Sequence, residues 1–346
     1  MLFNTNNKNK MNYPPNDILI LIAVKLSLTD LINIKYLSKK VFNTIWNNEK
    51  FWMNKFYHDF KTYSDKQIDT SWRKFYIEIN TIKPKDLMEK GILEDKLYLI
   101  ELALNRGVDV ETKFLYGNFD STSLEISCLI NSLDTVKYLI KKGAEVNNNR
   151  VSTNAFIKGD LETIKYLVNL GIDIHQDELP LQISCMYGHL EIVKYLVELG
   201  KNIYIPNMLL YASRNGHLEI VKYLIKNNYL EIKGPGSELI VSSLNGHLEV
   251  VKFLVDIGIY DHHLNIAFNR ALVTPHLEVV KYLDAQGNYM DNLSTDNLIE
   301  IICHNHLEII KYLVEQGVVV NLLTKHDLGY FHQQPEIVKY LSDVLS

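Results

Sequence analysis

This sequence is poor in several features from which function is usually read. It has three cysteines, Cys128, Cys185 and Cys303, in 346 residues. So few thiols, so far apart, exclude a disulfide framework and point to a reducing compartment. Long apolar runs are missing: the longest, Ile18–Val24, stops at Lys25, far short of the roughly 20 residues of a membrane helix. As a leader it lacks a small-residue cleavage site and follows Asp17. The expected location is therefore cytoplasmic or nuclear, with no membrane partner. Positive charge is not in excess: 36 Lys and Arg against 41 Asp and Glu leave a net charge of −5, so no nucleic-acid partner is expected. A glycine-rich phosphate loop, a nucleophile elbow and a paired-carboxylate motif are lacking. The expectation is a non-enzyme without cofactor. Tryptophan is missing beyond residue 72, because Trp46, Trp52 and Trp72 are the only three. That shift marks an N-terminal domain with a core of its own.

What the sequence has in abundance is one phrase. His189–Gly200 reads HLEIVKYLVELG, and it returns at His217, His247, His276 and His306. Weaker copies start at Ser132 and Asp160, a truncated one at Gln334 and a faint one spans Lys96–Gly107. From Ser132 onward the steps are 28, 29, 28, 30, 29, 30 and 28 residues. A fixed period of this size means a stacked repeat array. Within each copy Leu190, Ile192, Val193, Leu196 and Val197 share one helical face. Glu191 suits the helix N-terminus and can pair with Lys194. Gly200 stands where a helix ends in a left-handed residue. A shorter helix is expected before each copy, capped by Thr122, Asn207, Ser237, Asp296 or Thr324. Small pairs near its end, such as Ser184-Cys185 and Ala212-Ser213, allow close helix approach.

Leu179–Gly200 (LPLQISCMYGHLEIVKYLVELG) resembles the ankyrin repeat, T-P-L-H-x-A-A-x-x-G-H-L-E-V-V-K-L-L-L-x-x-G, position by position. The period is a few residues shorter than the usual roughly 33, so the hairpin between repeats should be clipped. The resemblance covers Lys96 to the C-terminus. It implies an all-α solenoid of about nine short-period helix-turn-helix repeats, with a target protein on its concave face. The residues expected to read that target are Tyr204, Asn207, Arg214, Tyr229, Tyr260 and His262.

Residues 1–12 read as a disordered tail, Asn- and Lys-rich. The segment 13–60 reads as three short helices. Pro14-Pro15 opens the first, Ser27-x-x-Asp30 the second and Ser38 the third. About 45 residues is small for a lone core, so a covering partner is expected. Here Pro15, Asp17, Ile18, Leu19, Ile22, Leu26, Asp30, Leu31, Leu37 and Trp52 match the F-box pattern, with Pro14 in place of the usual Leu. The resemblance implies binding to a Skp-type adaptor of a cullin–RING ubiquitin ligase, through Pro15, Asp17, Ile18, Ile22, Leu26, Leu31 and Leu37. The fused pair resembles proteins of giant and pox-type DNA viruses. Residues 61–95 should carry a joining helix around Thr70–Ile79, ended by Lys83-Pro84, and 96–346 the repeats. A monomer is expected.

Two columns invite other readings. The histidine column suggests a metal, but neighbouring helices stand about 8–10 Å apart and zinc ligands about 2 Å from the ion. Each His should instead close the loop before its helix. Cys303-His304-x-His306 is the densest ligand cluster, with no partner cluster at zinc-finger spacing, so no metal is expected. His262-His263 should be a solvated turn. The tyrosine column (Tyr138, Tyr166, Tyr195, Tyr223, Tyr282, Tyr312, Tyr340, with Phe253) suggests base stacking. An acid three residues before each flanking Lys neutralises that face, so half-buried packing is expected.

Overall fold

The structure is a computed structural model that describes residues 20, 22–60, 71–130, 132–172, 178–200, 205–227, 236–258, 263–318, 323, 328, 331 and 333–345. The chain forms two compact units, Met1–Asn147 and Asn148–Ser346. The division falls inside the repeat array.

In the first unit the helix starts follow the sequence. Ser27 accepts from the Asp30 amide and opens Leu28–Leu37. Ser38 accepts from the Val41 amide and opens Lys39–Trp46. A further helix, Glu49–Phe60, was not expected, and it forms the centre of the module. It carries Phe51 and Trp52, both without exposed surface. Trp52 stands edge-on to Trp46 at 5.3 Å and donates its indole N–H to the Trp46 carbonyl at 3.0 Å. Trp72–Thr81 packs its aromatic face on the same helix, with Trp52–Tyr76 at 5.4 Å and Phe56–Trp72 at 5.6 Å. The Glu49 carboxylate caps its start, accepting from the Trp72 amide at 2.6 Å. This joining helix ends before Lys83 as expected, but Pro84 opens another helix, Pro84–Leu93, which pairs with Leu97–Asn105. A helix therefore stands ahead of the faint copy at Lys96–Gly107 and pairs with it. Arg106 ties them to the joining helix by donating to the Ile79 carbonyl at 2.7 Å.

One departure from an all-helical chain follows. Lys113–Tyr116 and Phe119–Thr122 form an antiparallel hairpin, turning at Gly117-Asn118. Gly117 supplies a φ of +62°, which a tight hairpin turn requires. Thr122 and Glu125 then exchange reciprocal bonds at the start of Ser123–Ile130, so Thr122 caps as expected.

The second unit is a run of helix pairs: Asn149–Lys158 with Leu161–Asn169, Leu179–Tyr187 with Leu190–Glu198, Ile205–Arg214 with Leu218–Lys226, Ser237–Leu244 with Leu248–Asp256, Leu264–Leu272 with Leu277–Gly287, and Thr295–Cys303 with Leu307–Glu315. Pro335–Val344 is the last second helix. Ile192, Val193 and Leu196, with their counterparts Ile220, Val221 and Leu224 or Ile309, Ile310 and Leu313, are buried. Each such side chain contributes about 1.5–3 kcal/mol of transfer free energy. The small pairs Ser184-Cys185, Ala212-Ser213 and Ser242-Ser243 are fully buried, as close helix approach demands. The tyrosine column is half-buried throughout. Its flanking lysines pair with the acid three residues before, as in Lys194–Glu191 at 2.6 Å and Lys222–Glu219 at 2.8 Å. Three of the expected caps shift: Asn207 lies inside its helix, Ser237 follows Gly236 as cap, and Asp296 follows Ser294, which closes a capping box with Asn297. Thr324 lies outside the described residues.

One buried ion pair fastens the N-terminal helices. Lys55 is 2% exposed and donates to the Val24 carbonyl at 2.9 Å and to Asp59 at 2.6 Å. Tyr76 donates its hydroxyl to the same carboxylate. Burial would raise the Asp59 carboxyl, but hydrogen bonds from His58, Lys55 and Tyr76 and the Lys55 charge hold it below its usual 3.8. A depressed acid stabilises the fold above its unfolded pKa, and that stability is lost as pH falls through the folded value. Lys55→Met keeps the stem and removes the charge. It should cost about 2–3 kcal/mol, below the ~3–5 of a fully buried orphan, because Asp59 retains some water. Denaturant midpoints read by tryptophan fluorescence report this module alone, and the variant should also flatten the loss of stability below pH about 4. An unchanged midpoint would reduce Lys55 to an aliphatic spacer.

Candidate functional site

Any site on these repeats depends on how one repeat is held to the next. The first helices of the second unit end in a left-handed residue: Gly159, Gly188, Gly216 and Gly246 have φ between +77° and +83°. The next repeat uses the space a missing Cβ leaves. The His217 ring lies where a Cβ on Gly188 would fall, 2.6 Å from its Nδ1, and His189, His247 and His276 lie likewise over Gly159, Gly216 and Gly246. The far ring nitrogen then meets the carbonyl two residues before that glycine: His189 Nε2 with Ile157 at 3.1 Å, His217 with Met186 at 2.9 Å, His247 with Arg214 at 2.9 Å. His189, His217 and His247 therefore do more than close their own loops: each clamps the end of the preceding first helix. Other residues fill the same place elsewhere. Gln334 donates to the Cys303 carbonyl at 3.4 Å. Ser132 and Thr135 donate to Asp95 at 3.2 and 2.7 Å, and Asp95 itself has a φ of +51°. Burial, then the charges of His247 and His306, lower the His276 pKa below its usual 6.5, so its ring is kept neutral. His263, expected to be solvated, caps Leu264–Leu272 and packs over Gly236.

This arrangement leaves the outward side of the first helices free. Of the residues expected to read the target, Asn207 and Arg214 are exposed. Tyr204, Tyr229, Tyr260 and His262 lie outside the described residues. Leu179, Tyr187, Leu244, Ile266 and Ile299 add exposed apolar surface on first helices. They were missed because each sits inside a repeat whose pattern reads as core.

On the N-terminal module the expected adaptor-facing set divides. Ile22 is 55% exposed, Leu26 is half-buried, and Leu31 is 2% exposed. Leu31 is therefore a core residue and leaves the set. Pro15, Asp17 and Ile18 lie outside the described residues, as does the side chain of Leu37. Two residues the sequence reading passed over stand out instead, Ile32 at 43% and Tyr36 at 83% exposed. They lie four apart on one helix, and that spacing was the available signal.

Chemistry is sparse. Burial pushes the Cys128 and Cys185 thiols up to about 12, far from the thiolate that nucleophilic work needs. Cys303 is exposed. His304 Nδ1 meets the Glu300 carbonyl at 2.8 Å, so the Cys303–His306 cluster is partly used by its own helix end. Among the described residues no group of three or more His, Cys, Asp and Glu side chains could hold a metal ion, and no helix is long and apolar enough to cross a membrane.

Comparison with known proteins finds the following similarities. Residues 152–234 match the family model for ankyrin repeats in three copies. The chain is 29% identical over 131 residues, 37% of its length, to an ankyrin repeat protein of Acanthamoeba polyphaga mimivirus. That match spans 29% of the viral protein. The crystal structure of the human ASB11 ankyrin repeat domain aligns at a TM-score of 0.39 and 22% identity, covering 50% of this chain and 83% of that one.

The clamp makes two glycines unequal. Nothing lies within 4 Å of a Cβ on Gly200, whose φ is +76°. Gly200→Ala should cost only the left-handed strain, about 1–2 kcal/mol. Gly188→Ala carries the same strain and also displaces His217, adding roughly 0.5–1.5 kcal/mol for the lost bond to Met186. In a His217→Ala background that excess should vanish. Amide exchange across Leu179–Lys226 measures it, and equal protection in both single variants would contradict the clamp.

Proposed function

We propose that this chain is a non-catalytic interaction protein that joins two partners. The repeats hold a target protein on the exposed face of their first helices. The N-terminal helices engage a Skp-type adaptor of a cullin–RING ubiquitin ligase, so that the target is presented for ubiquitination. One observation carries the adaptor half: Leu28–Leu37 buries Leu31 yet leaves Ile32 and Tyr36 open, with Ile22 exposed on the helix before. A helix that is apolar on two sides has one side left for a second protein. The target half is supported by the ankyrin match over 152–234 and the exposed apolar surface of the first helices. The viral relative supports a setting in a host cell.

A second reading has an observation of its own. The module packs on the first repeat through Phe75–Tyr98 at 5.9 Å and the Arg106 bonds to Ile79 and Asn80. On that reading the N-terminal helices cap the repeats, and the chain is a scaffold with one class of partner.

Co-precipitation with a purified Skp-type adaptor separates the two. Ile32→Asp and Tyr36→Asp should each reduce recovery at least about tenfold by placing a carboxylate in an apolar interface. Both residues face solvent, so tryptophan fluorescence should be unchanged. Leu31→Asp should instead unfold the module. Equal recovery with the wild-type chain and both surface variants, or none with wild type, would leave the scaffold.

A further inference from the structure

Neighbouring first helices lie against each other from Asn149–Lys158 as far as Leu264–Leu272. Beyond that the run opens. Leu264–Leu272 and Thr295–Cys303 part, and a cleft of about 270 Å³ lies between them. One residue sets this junction apart in the sequence. Where the earlier first helices end in a left-handed glycine before the next His, this one ends in Pro275. Proline is held near a φ of −65° and cannot take that conformation. In register, His306 would lie over Pro275 and reach the Val273 carbonyl; among the described residues it makes no such bond, and neither does His276, which lies over Gly246.

The cleft has a definite chemistry. Its base is apolar, with Leu272 and Ile301 each 1% exposed, and Ile266 stands exposed among its lining residues. Arg270 comes from one wall and Glu300 from the other. Among the described residues neither side chain forms an ion pair, with each other or elsewhere. That sets them apart from the second helices, where the cations are lysines already paired with glutamates. Arg270 is one of five arginines. Arg73 and Arg106 are occupied with backbone carbonyls of the first unit. A planar, unpaired guanidinium beside an apolar base is the usual anchor of a protein interface. The volume falls just under the ~300–1,000 Å³ of small-molecule sites, which suits one or two side chains and excludes a large cofactor.

We propose that this cleft is the anchor point for the target, taking an extended peptide segment. One aliphatic side chain enters between the two helices, and an acidic residue beside it pairs with Arg270. Glu300 accepts from the segment's main-chain amide. This rests on the reading that the repeats hold a protein partner.

The test uses the full chain and a phage-displayed random peptide library. The wild-type protein should select peptides with an aliphatic residue next to Asp or Glu. Arg270→Glu should select Lys or Arg at that place and bind the wild-type peptides about tenfold more weakly by fluorescence polarisation. Pro275→Gly restores the glycine, lets His306 clamp and closes the cleft. It should weaken the same peptides by about as much, near tenfold, with circular dichroism unchanged. A reversal of selected charge is something a folding defect cannot produce. Peptides that bind all three proteins equally would make the cleft a packing gap and leave the repeats binding elsewhere. Selection of no peptide by wild type would overturn the cleft as a peptide site. Adaptor co-precipitation judges the wider reading independently.

Discussion

The repeat array depends on one contact made repeatedly: an imidazole placed in the volume that a glycine leaves empty in the repeat before it. The glycine is needed twice over, for its positive φ and for its missing Cβ, which would fall 2.2 Å from the ring of His189 at Gly159. The ring nitrogen then satisfies a helix-end carbonyl that would otherwise lack a partner. Each first helix is thus finished by the repeat that follows it. This gives the array its nearest-neighbour character, because the bond belongs to the junction and to neither repeat alone. The second helices add burial, but their exposed Glu–Lys pairs contribute little by comparison.

A contact of that kind fails locally when one of its parts is replaced. Asn305, with a φ of +62°, keeps the conformation, and Gln334 still reaches across to Cys303. Pro275 cannot keep the conformation. Among the described residues the first helices part at this junction, while those before it stay packed. The opening exposes charged groups that a closed junction would crowd together. A substitution that weakens the array is also the one that gives this stretch a shape unlike its neighbours, and a repeat protein needs such irregularity to distinguish partners.

Much of this was legible in the sequence, for identifiable reasons. The second helices could be read because their period, their acid-first turn and their closing glycine all agree. Small pairs such as Ser184-Cys185 marked the close helix contacts. The first helices were harder: eight to ten residues with weak caps leave their starts free to slide by two or three positions, as Asn207 and Asp296 did. The function of the histidines was half read. Spacing showed that they were structural, but the clamp spans about 30 residues and joins two repeats, and a search for partners inside one copy cannot find it. Pro275 was visible as a departure from Gly-His. Its meaning came only with the knowledge of what that glycine accommodates.

The N-terminal module shows the opposite limit. Leu28–Leu37 reads LTDLINIKYL, with apolar residues on nearly every side, and such a helix has no single face that periodicity can choose. Leu31 was the better candidate for a partner by resemblance, and packing took it. What decided the matter was the missed helix Glu49–Phe60. Its buried Lys55 reaches the Val24 carbonyl and fixes the segment leading into Leu28–Leu37 on the aromatic core. Once that side is fixed, Leu31 points in, and Ile32 and Tyr36 are turned to water. An apolar pair held outward by a buried ion pair is not a surplus of hydrophobic residues that a small core failed to absorb. The ion pair helps fix which side of the helix meets the core and which side meets water.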